Sequence, residues 1–253
     1  MTGTIIAIAS GKGGVGKTFF SISLATALAQ NKRRVLLFDG DLGLANVDIQ
    51  MGVVPQSDLS LLLREDVDPL TLVEHHKDTG IDFLAGPSGS DTYANLGAGE
   101  LALLARKLEK LREHYDDIVF DLSAGVSKTV SILASSADKI LMLFTPDPTS
   151  LTDAYACVKV FHQKKVSDRV HLIVNMALDR VQAAKTCDTL LRACQTFLQI
   201  KPPYLGFIPR DSHVTMAIRA QKPLLLHAPN CTASTVIRDI AQALLLDQHR
   251  TKD

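Results

Sequence analysis

The chain has no tryptophan, and only 5% of its residues are aromatic. A stacking platform for single-stranded nucleic acid is therefore not expected. It has no net charge either: 27 Lys+Arg stand against 27 Asp+Glu. That balance excludes polyanion binding driven by overall charge and leaves only local patches for such a role. Cysteine is scarce. Of Cys157, Cys187, Cys194 and Cys231, only the second and third are close, at a gap that fits no zinc, iron–sulfur or thioredoxin pattern. All four read as buried or incidental thiols in a reducing cytosol. Long apolar runs are missing too: nothing approaches the roughly 18 uncharged apolar residues of a membrane span. Met1-Thr2-Gly3-Thr4 enters its first apolar segment without the basic lead of a signal peptide. A cytoplasmic protein is expected.

What is present is 253 residues, 46% hydrophobic and 21% charged, enough to bury a sizeable core and too apolar for a disordered chain. Short apolar runs recur at residues 4–9, 35–38, 81–84, 118–120, 140–144, 170–174 and 204–208. Most are continuous rather than alternating, as in strands buried on both faces of a parallel sheet. Between them lie helical patterns. Residues 17–30 are rich in Ala, Leu and Ser, residues 99–113 place Leu101, Leu104, Ala105, Leu108 and Leu111 on one face, and Ile237, Ile240, Ala241, Leu244 and Leu245 repeat at helix spacing. The charged stretch 57–78 reads as short surface helices. The alternation predicts one α/β domain over residues 1–253, a doubly wound, mostly parallel sheet with helices on both faces.

The strongest chemical signal is Gly11-Lys12-Gly13-Gly14-Val15-Gly16-Lys17-Thr18, followed by Phe19. It fits G-x-x-x-x-G-K-[ST] between a buried strand and a helix, the context of a phosphate-binding loop. The glycines let successive N–H groups point at one anion, and the helix adds the positive end of its dipole. Lys17 is then placed for the β- and γ-phosphates of a nucleotide and the Thr18 hydroxyl for Mg²⁺. Asp39-Gly40-Asp41 follows the second apolar run and Asp121 ends the run Ile118-Val119-Phe120, both at strand tips where doubly wound sheets bind ligands. On spacing alone, the first pair could also cap the next segment. Asn175, at another strand tip, reads on its own as a turn former, with an amide that could also face a base edge.

Lys12 is the unusual residue, a second lysine inside the loop. Lys12-Gly13-Gly14-Val15-Gly16-Lys17-Thr18, Asp39-Gly40-Asp41 continuing to Asn46 and Asp48, and Asp121-Leu122-Ser123-Ala124-Gly125 together resemble the deviant Walker A ATPases of the MinD/ParA family. Ser123 stands where some members carry proline. The resemblance implies ATP/ADP and Mg²⁺ as ligands, with Thr18, Asp39 and Asp121 around the metal. It implies catalytic roles for Lys17, for Asp41 in orienting the attacking water, and for Lys12 in reaching a partner subunit's nucleotide. It places Gly11 through Phe19, with Asn175, Pro209, Arg210 and Asp211, around the nucleotide. Residues 39–48, 148–155 and 219–223 look most like the FlhG branch, which regulates flagellar number and position.

That branch implies a slow, partner-stimulated ATPase that dimerises with ATP. Its partners would be a flagellar GTPase or a flagellar switch or regulator protein. The rival readings are a DNA-using ParA-like positioning ATPase and a MinD-like regulator of the division site. An iron–sulfur carrier of this fold needs a C-x-x-C pair, which is absent. DNA is possible but not favoured, and membrane binding is expected to be weak or absent: after Leu245 only a short polar stretch, residues 246–253, remains for an interfacial anchor. An N-terminal extension of the kind that stimulates a GTPase is not seen before the first strand. His75-His76 lacks companions at ligand spacing, and Lys164-Lys165 with Arg169 reads as a solvated helix end.

Overall fold

The structure, a computed structural model, describes residues 2–41, 45–86 and 96–250. Leu42, Gly43 and Leu44 of the second motif and the last three residues of the polar C-terminal stretch lie outside them. The seven apolar runs form strands: β1 (Thr4–Ala9), β2 (Val35–Gly40), β4 (Ile81–Leu84), β5 (Asp117–Leu122), β6 (Lys139–Phe144), β7 (Val170–Ala177) and β8 (Tyr204–Pro209). An eighth strand, β3 (Glu74–His76), lies in the stretch expected to hold short surface helices. That stretch does contain two 3₁₀ turns, Leu59–Leu63 and Pro69–Leu72, but Glu74-His75-His76 pairs antiparallel with β4 at the sheet edge. His75 and His76 are spent locally, on Asp82 and on Thr79.

The sheet order is β3-β4-β2-β5-β1-β6-β7-β8, parallel throughout except for β3. Chain order reverses direction across β1, with β5 on one side and β6 on the other. The crevice at the strands' C-terminal ends beside β1 is thus the topological switch point where such sheets bind ligands.

Alternate strand residues feed two cores. Ile5, Ala7, Leu36, Phe38, Ile118 and Phe120 face α3 (Ala98–Arg112), α4 (Lys128–Ser136), α5 (Pro148–Gln163) and α6 (Arg180–Leu198). Ile6, Ile8, Leu37, Val119 and Leu141 face α1 (Lys17–Gln30), α2 (Val47–Met51), α7 (Ser212–Arg219), α8 (Leu224–His227) and α9 (Thr232–Arg250). Residues 19–28 of α1 are all buried, because α9 covers the side that the sheet does not. A helix that is apolar all round suits only such a sandwiched position. Burial at ~25 cal/mol per Å² of apolar area makes these two layers the main source of stability.

The helix expected to end near Leu245 runs on to Arg250, and its polar end is docked rather than free. Gln248 donates to Asp117 Oδ1 at 2.9 Å and accepts from Arg33 at 3.2 Å; Asp247 pairs with Lys139. Arg169 also departs from a solvated end: its guanidinium donates to Ser135 O at 3.1 Å and Ala137 O at 2.9 Å, closing the C-terminus of α4. Among the described residues no helix is long and apolar enough to cross a membrane.

Asp117 is fully buried, and Arg33 Nε donates to its Oδ2 at 2.7 Å. Removing one member of such a pair leaves a charge in the interior, a far larger loss than the pair's own net worth. Arg33→Met should lower unfolding free energy by about 3 kcal/mol in urea titration, while Asp247→Ala, at the exposed end of α9, should change it by under about 1 kcal/mol.

Candidate functional site

The loop between β1 and α1 lies across the C-terminal edge of the sheet. Its shape is fixed by contacts that leave the outer N–H groups free. Gly11 packs so tightly on α5 that a Cβ there would stand 2.2 Å from the Asp153 backbone. Gly16 sits at φ +93°, and a Cβ on it would meet Asn175 Nδ2 at 2.6 Å. Both positions require glycine, one for close approach and one for handedness as well. Ser10 O accepts the Gly125 N–H at 2.8 Å, which ties the start of the loop to the segment after β5.

Asn175 is nearly completely buried, and its amide donates to Val15 O at 2.7 Å. The structure therefore gives this side chain to the phosphate loop. A register shift between β7 and β8, with Met176 at φ +58°, accompanies this placement. Bulges next to sites commonly re-aim a side chain in this way. Pro209 ends β8, Arg210 is exposed, and Asp211 caps α7 by accepting the His213 N–H at 2.9 Å. Phe19 is buried; it can offer the loop only its backbone N–H.

The start of α1 is left without a side-chain cap, with Gly16 at the N-cap and no acidic residue in the first turn. By contrast, α4, α5, α6 and α7 are capped by Ser127, Asp147, Asp179 and Asp211. The N–H groups of Lys17, Thr18 and Phe19 precede the first α1 bond, Phe20 N–H to Gly16 O. An uncapped helix start under a glycine loop with a lysine in its first turn is a cradle for phosphate.

Beneath it lie the acids. Asp39 and Asp121 are paired in register on β2 and β5, and each is 1% exposed. Asp39 accepts N–H bonds from Asp41 at 3.2 Å, Asn46 at 3.1 Å and Val47 at 3.2 Å. Asp121 accepts the Ser21 hydroxyl at 2.9 Å and is also hydrogen-bonded by the Thr18 hydroxyl. Burial pushes the Asp121 carboxyl up to about 6, against the pull of Thr18 and Lys17. Burial, and then the Asp121 charge, hold Asp39 well above the carboxylate range. Desolvation lowers Lys17, while Asp121 and Asp41 pull it the other way. Two crowded carboxylates beside a hydroxyl, all oxygen donors, fit a hard divalent cation such as Mg²⁺, whose charge would relieve their repulsion.

Lys12 is exposed on the opposite side of the loop. Its ammonium is hydrogen-bonded to Thr149 Oγ1 and lies 3.6 Å from Asp147 Oδ1, at the start of α5. The predicted residues thus divide. Gly11–Phe19, Asp39, Asp41 and Asp121 come together, Asn175 joins them from behind, and Arg210 and Asp211 sit at the end of β8.

The chain matches the CobQ/CobB/MinD/ParA nucleotide binding domain over residues 6–224. It belongs to that family. It is 33% identical to the antiactivator FleN of Pseudomonas aeruginosa, over 94% of this chain and 85% of that protein. It is 32% identical to the flagellum site-determining protein YlxH of Helicobacter pylori, over 95% and 81%. Its fold is that of the septum site-determining protein MinD of Pyrococcus horikoshii, solved with Mg-ADP, at a TM-score of 0.80 and 23% identity over 95% of each chain. The resemblance to the MinD/ParA family and the doubly wound sheet are both borne out.

The sequence reading missed Ser21, Asp147, Thr149 and Asp153. Ser21 stands one helical turn from Lys17 and Asp147 precedes Pro148, a helix-start signal, so two of them carried a readable sign.

Because Asp39 and Asp121 titrate higher here than the ~4 of an unfolded chain, the folded state binds more protons between pH ~4 and about 6. The contribution of these two carboxylates to stability therefore falls as pH rises through that window, against a smaller opposite contribution from His76 and His171, which burial lowers. In magnesium- and nucleotide-free protein the unfolding free energy should drop by about 2 kcal/mol from pH 4.5 to 7. Asp121→Asn should shrink the drop and be the more stable protein at pH 7; a decline as steep as in the parent would count against the buried carboxylate as its source.

Proposed function

We propose that this chain is a Mg²⁺-dependent ATPase used as a dimerisation switch, working in the cytoplasm as one domain over residues 1–253. Its output would be control of the number or position of flagella. The reading rests on one observation above all. Lys17, Thr18, Asp39 and Asp121 converge at the switch-point edge of the sheet, under a helix start that carries no cap of its own. The name of the flagellum site-determining relative supports the cellular role.

Each residue's part follows from its position. The loop N–H groups and Lys17 bind and orient the phosphates, with Lys17 already facing the carboxylates that hold its charge. Thr18 and Asp121 would hold the metal, with Asp39 beside them. Bound there, Mg²⁺ would supply positive charge against the negative charge of the phosphates. Asp41, whose N–H donates to Asp39 Oδ1, would orient the attacking water, the role the family resemblance implies. Lys12 is half-exposed, and its partners Thr149 and Asp147 lie at the surface. Exposed pairs of that kind are weak, so a triphosphate on a facing subunit can draw the ammonium away. Met176, Leu178 and Val181, all exposed just after Asn175, would offer that subunit apolar surface. Hydrolysis would dissolve the dimer, and a protein partner, such as a flagellar GTPase or regulator, would read its presence.

Lys12→Ala should leave affinity for a fluorescent ATP analogue within about threefold, a change under 1 kcal/mol. It should abolish the ATP-dependent dimer in size-exclusion chromatography; a dimer unchanged in that variant would sink the assignment of Lys12. Asp41→Ala should accumulate as an ATP-bound dimer with turnover down at least a hundredfold, about 2.7 kcal/mol in the barrier. A monomer under saturating ATP would overturn its role.

A further inference from the structure

Asp211, His213 and Cys231 are brought together by the fold although the last lies far along the chain. One ligating atom of each lies within 4.8 Å of the others, and among the described residues no other trio of His, Cys, Asp or Glu does so. We infer that these three side chains form a binding site for a zinc-class divalent transition metal, clipping the turn after β8 to the start of α9.

The chemistry of the set carries the assignment. A thiolate, an imidazole and a carboxylate are the mixture that zinc takes, and the sulfur and nitrogen select against Mg²⁺ and Ca²⁺. Tetrahedral zinc with bonds of about 2.0–2.3 Å brings its ligand atoms to roughly 3.3–3.6 Å from one another. The three atoms lie within 4.8 Å of one another and the Asp211–His213 pair is already at 2.8 Å, so that pair must open slightly while Cys231 closes in, and the half-exposed His213 side chain has the freedom to adjust. Three protein ligands leave the fourth position for water. A dianionic pair of ligands with neutral histidine cancels the charge of the ion, so the occupied site is formally neutral.

The surroundings already orient the ligands. Ala233 N–H donates to Asp211 Oδ2 at 3.2 Å, and Oδ1, which also accepts the His213 N–H, meets His213 Nδ1 at 2.8 Å. Ser234 N–H donates to Cys231 Sγ at 3.4 Å, while Ser234 Oγ, whose own proton goes to Ala228 O, accepts from the thiol at 3.3 Å. Cys231 immediately precedes α9, a 19-residue helix. Hydrogen bonds of this kind around a metal set ligand direction and basicity. On binding, the Cys231 S–H gives its proton to solvent and the sulfur takes the metal.

The trio is not arranged as a nucleophile and its base. The Cys231 thiol is hydrogen-bonded to the Asp211 carboxylate, so the imidazole is not positioned to take its proton. The other three cysteines are buried in the opposite core.

The test is a Co²⁺ titration of the full chain, stripped with chelator and free of nucleotide. One equivalent should bind, with a thiolate-to-cobalt charge-transfer band in the near ultraviolet and intense tetrahedral d–d bands. One equivalent of Zn²⁺ should erase both, and millimolar Mg²⁺ should not. Cys231→Ser should lose the charge-transfer band, and His213→Ala, at a half-exposed position that tolerates truncation, should weaken Co²⁺ binding at least tenfold. Absence of the band in the parent protein, its survival in Cys231→Ser, or unchanged affinity in His213→Ala would each overturn the site. The readout contains no nucleotide, so it stands or falls apart from the ATPase reading.

Discussion

Two carboxylates side by side in the interior are the constraint around which this molecule is arranged. Asp39 and Asp121 are neighbours in the β2–β5 register and almost wholly cut off from water. Left alone they would cost the fold several kcal/mol. The fold tolerates them through three backbone N–H groups on Asp39 and the hydroxyls of Ser21 and Thr18 on Asp121, with Lys17 alongside. These contacts offset the repulsion only in part, since both acids remain above the carboxylate range. The residual deficit is what makes the spot attractive to a divalent cation, and it is a reason for the apoprotein to be less stable at neutral pH than in mild acid.

The loop above the acids is held by its neighbours rather than by itself. Asp153 on α5 presses on Gly11, Asn175 at the end of β7 holds Val15 O, and Gly125 after β5 holds Ser10 O. Three separate crossovers therefore meet at one short loop, and its N–H groups are aimed before any anion arrives. Preorganisation of this sort saves the entropy of ordering the loop at the moment of binding. It also explains why Asn175 is buried: an amide that spans two strand ends must be dry to be worth its hydrogen bond.

Most of the fold was legible because it is written in continuous apolar runs. Seven strands read directly from such runs, and the phosphate loop followed from glycine, lysine and threonine at fixed spacing. What escaped was polar or assembled from distant parts. Glu74-His75-His76 carries no apolar signal, since an edge strand of three residues buries little. The end of α9 looked like a loose polar tail because its partners, Asp117 and Arg33, are far away in the sequence. His213 and Cys231 gave no sign for the same reason. They meet only because β8 delivers one to the N-terminus of α7 and α8 returns the chain to the start of α9.

The two edges of the sheet handle polarity in opposite ways, and that contrast locates the work of the protein. At the N-terminal edge Asp117 is matched by Arg33 and Gln248, Asp116 by Arg34, and Asp138 by Arg112 and the Ile5 N–H. Charges there are answered within the chain, which leaves little for a ligand to gain. At the C-terminal edge a helix start is uncapped, two carboxylates share too little positive charge, and Lys12 rests on surface partners it can exchange. A chain whose charges sum to zero can still bind a triphosphate tightly when it keeps its unmet demands on one edge.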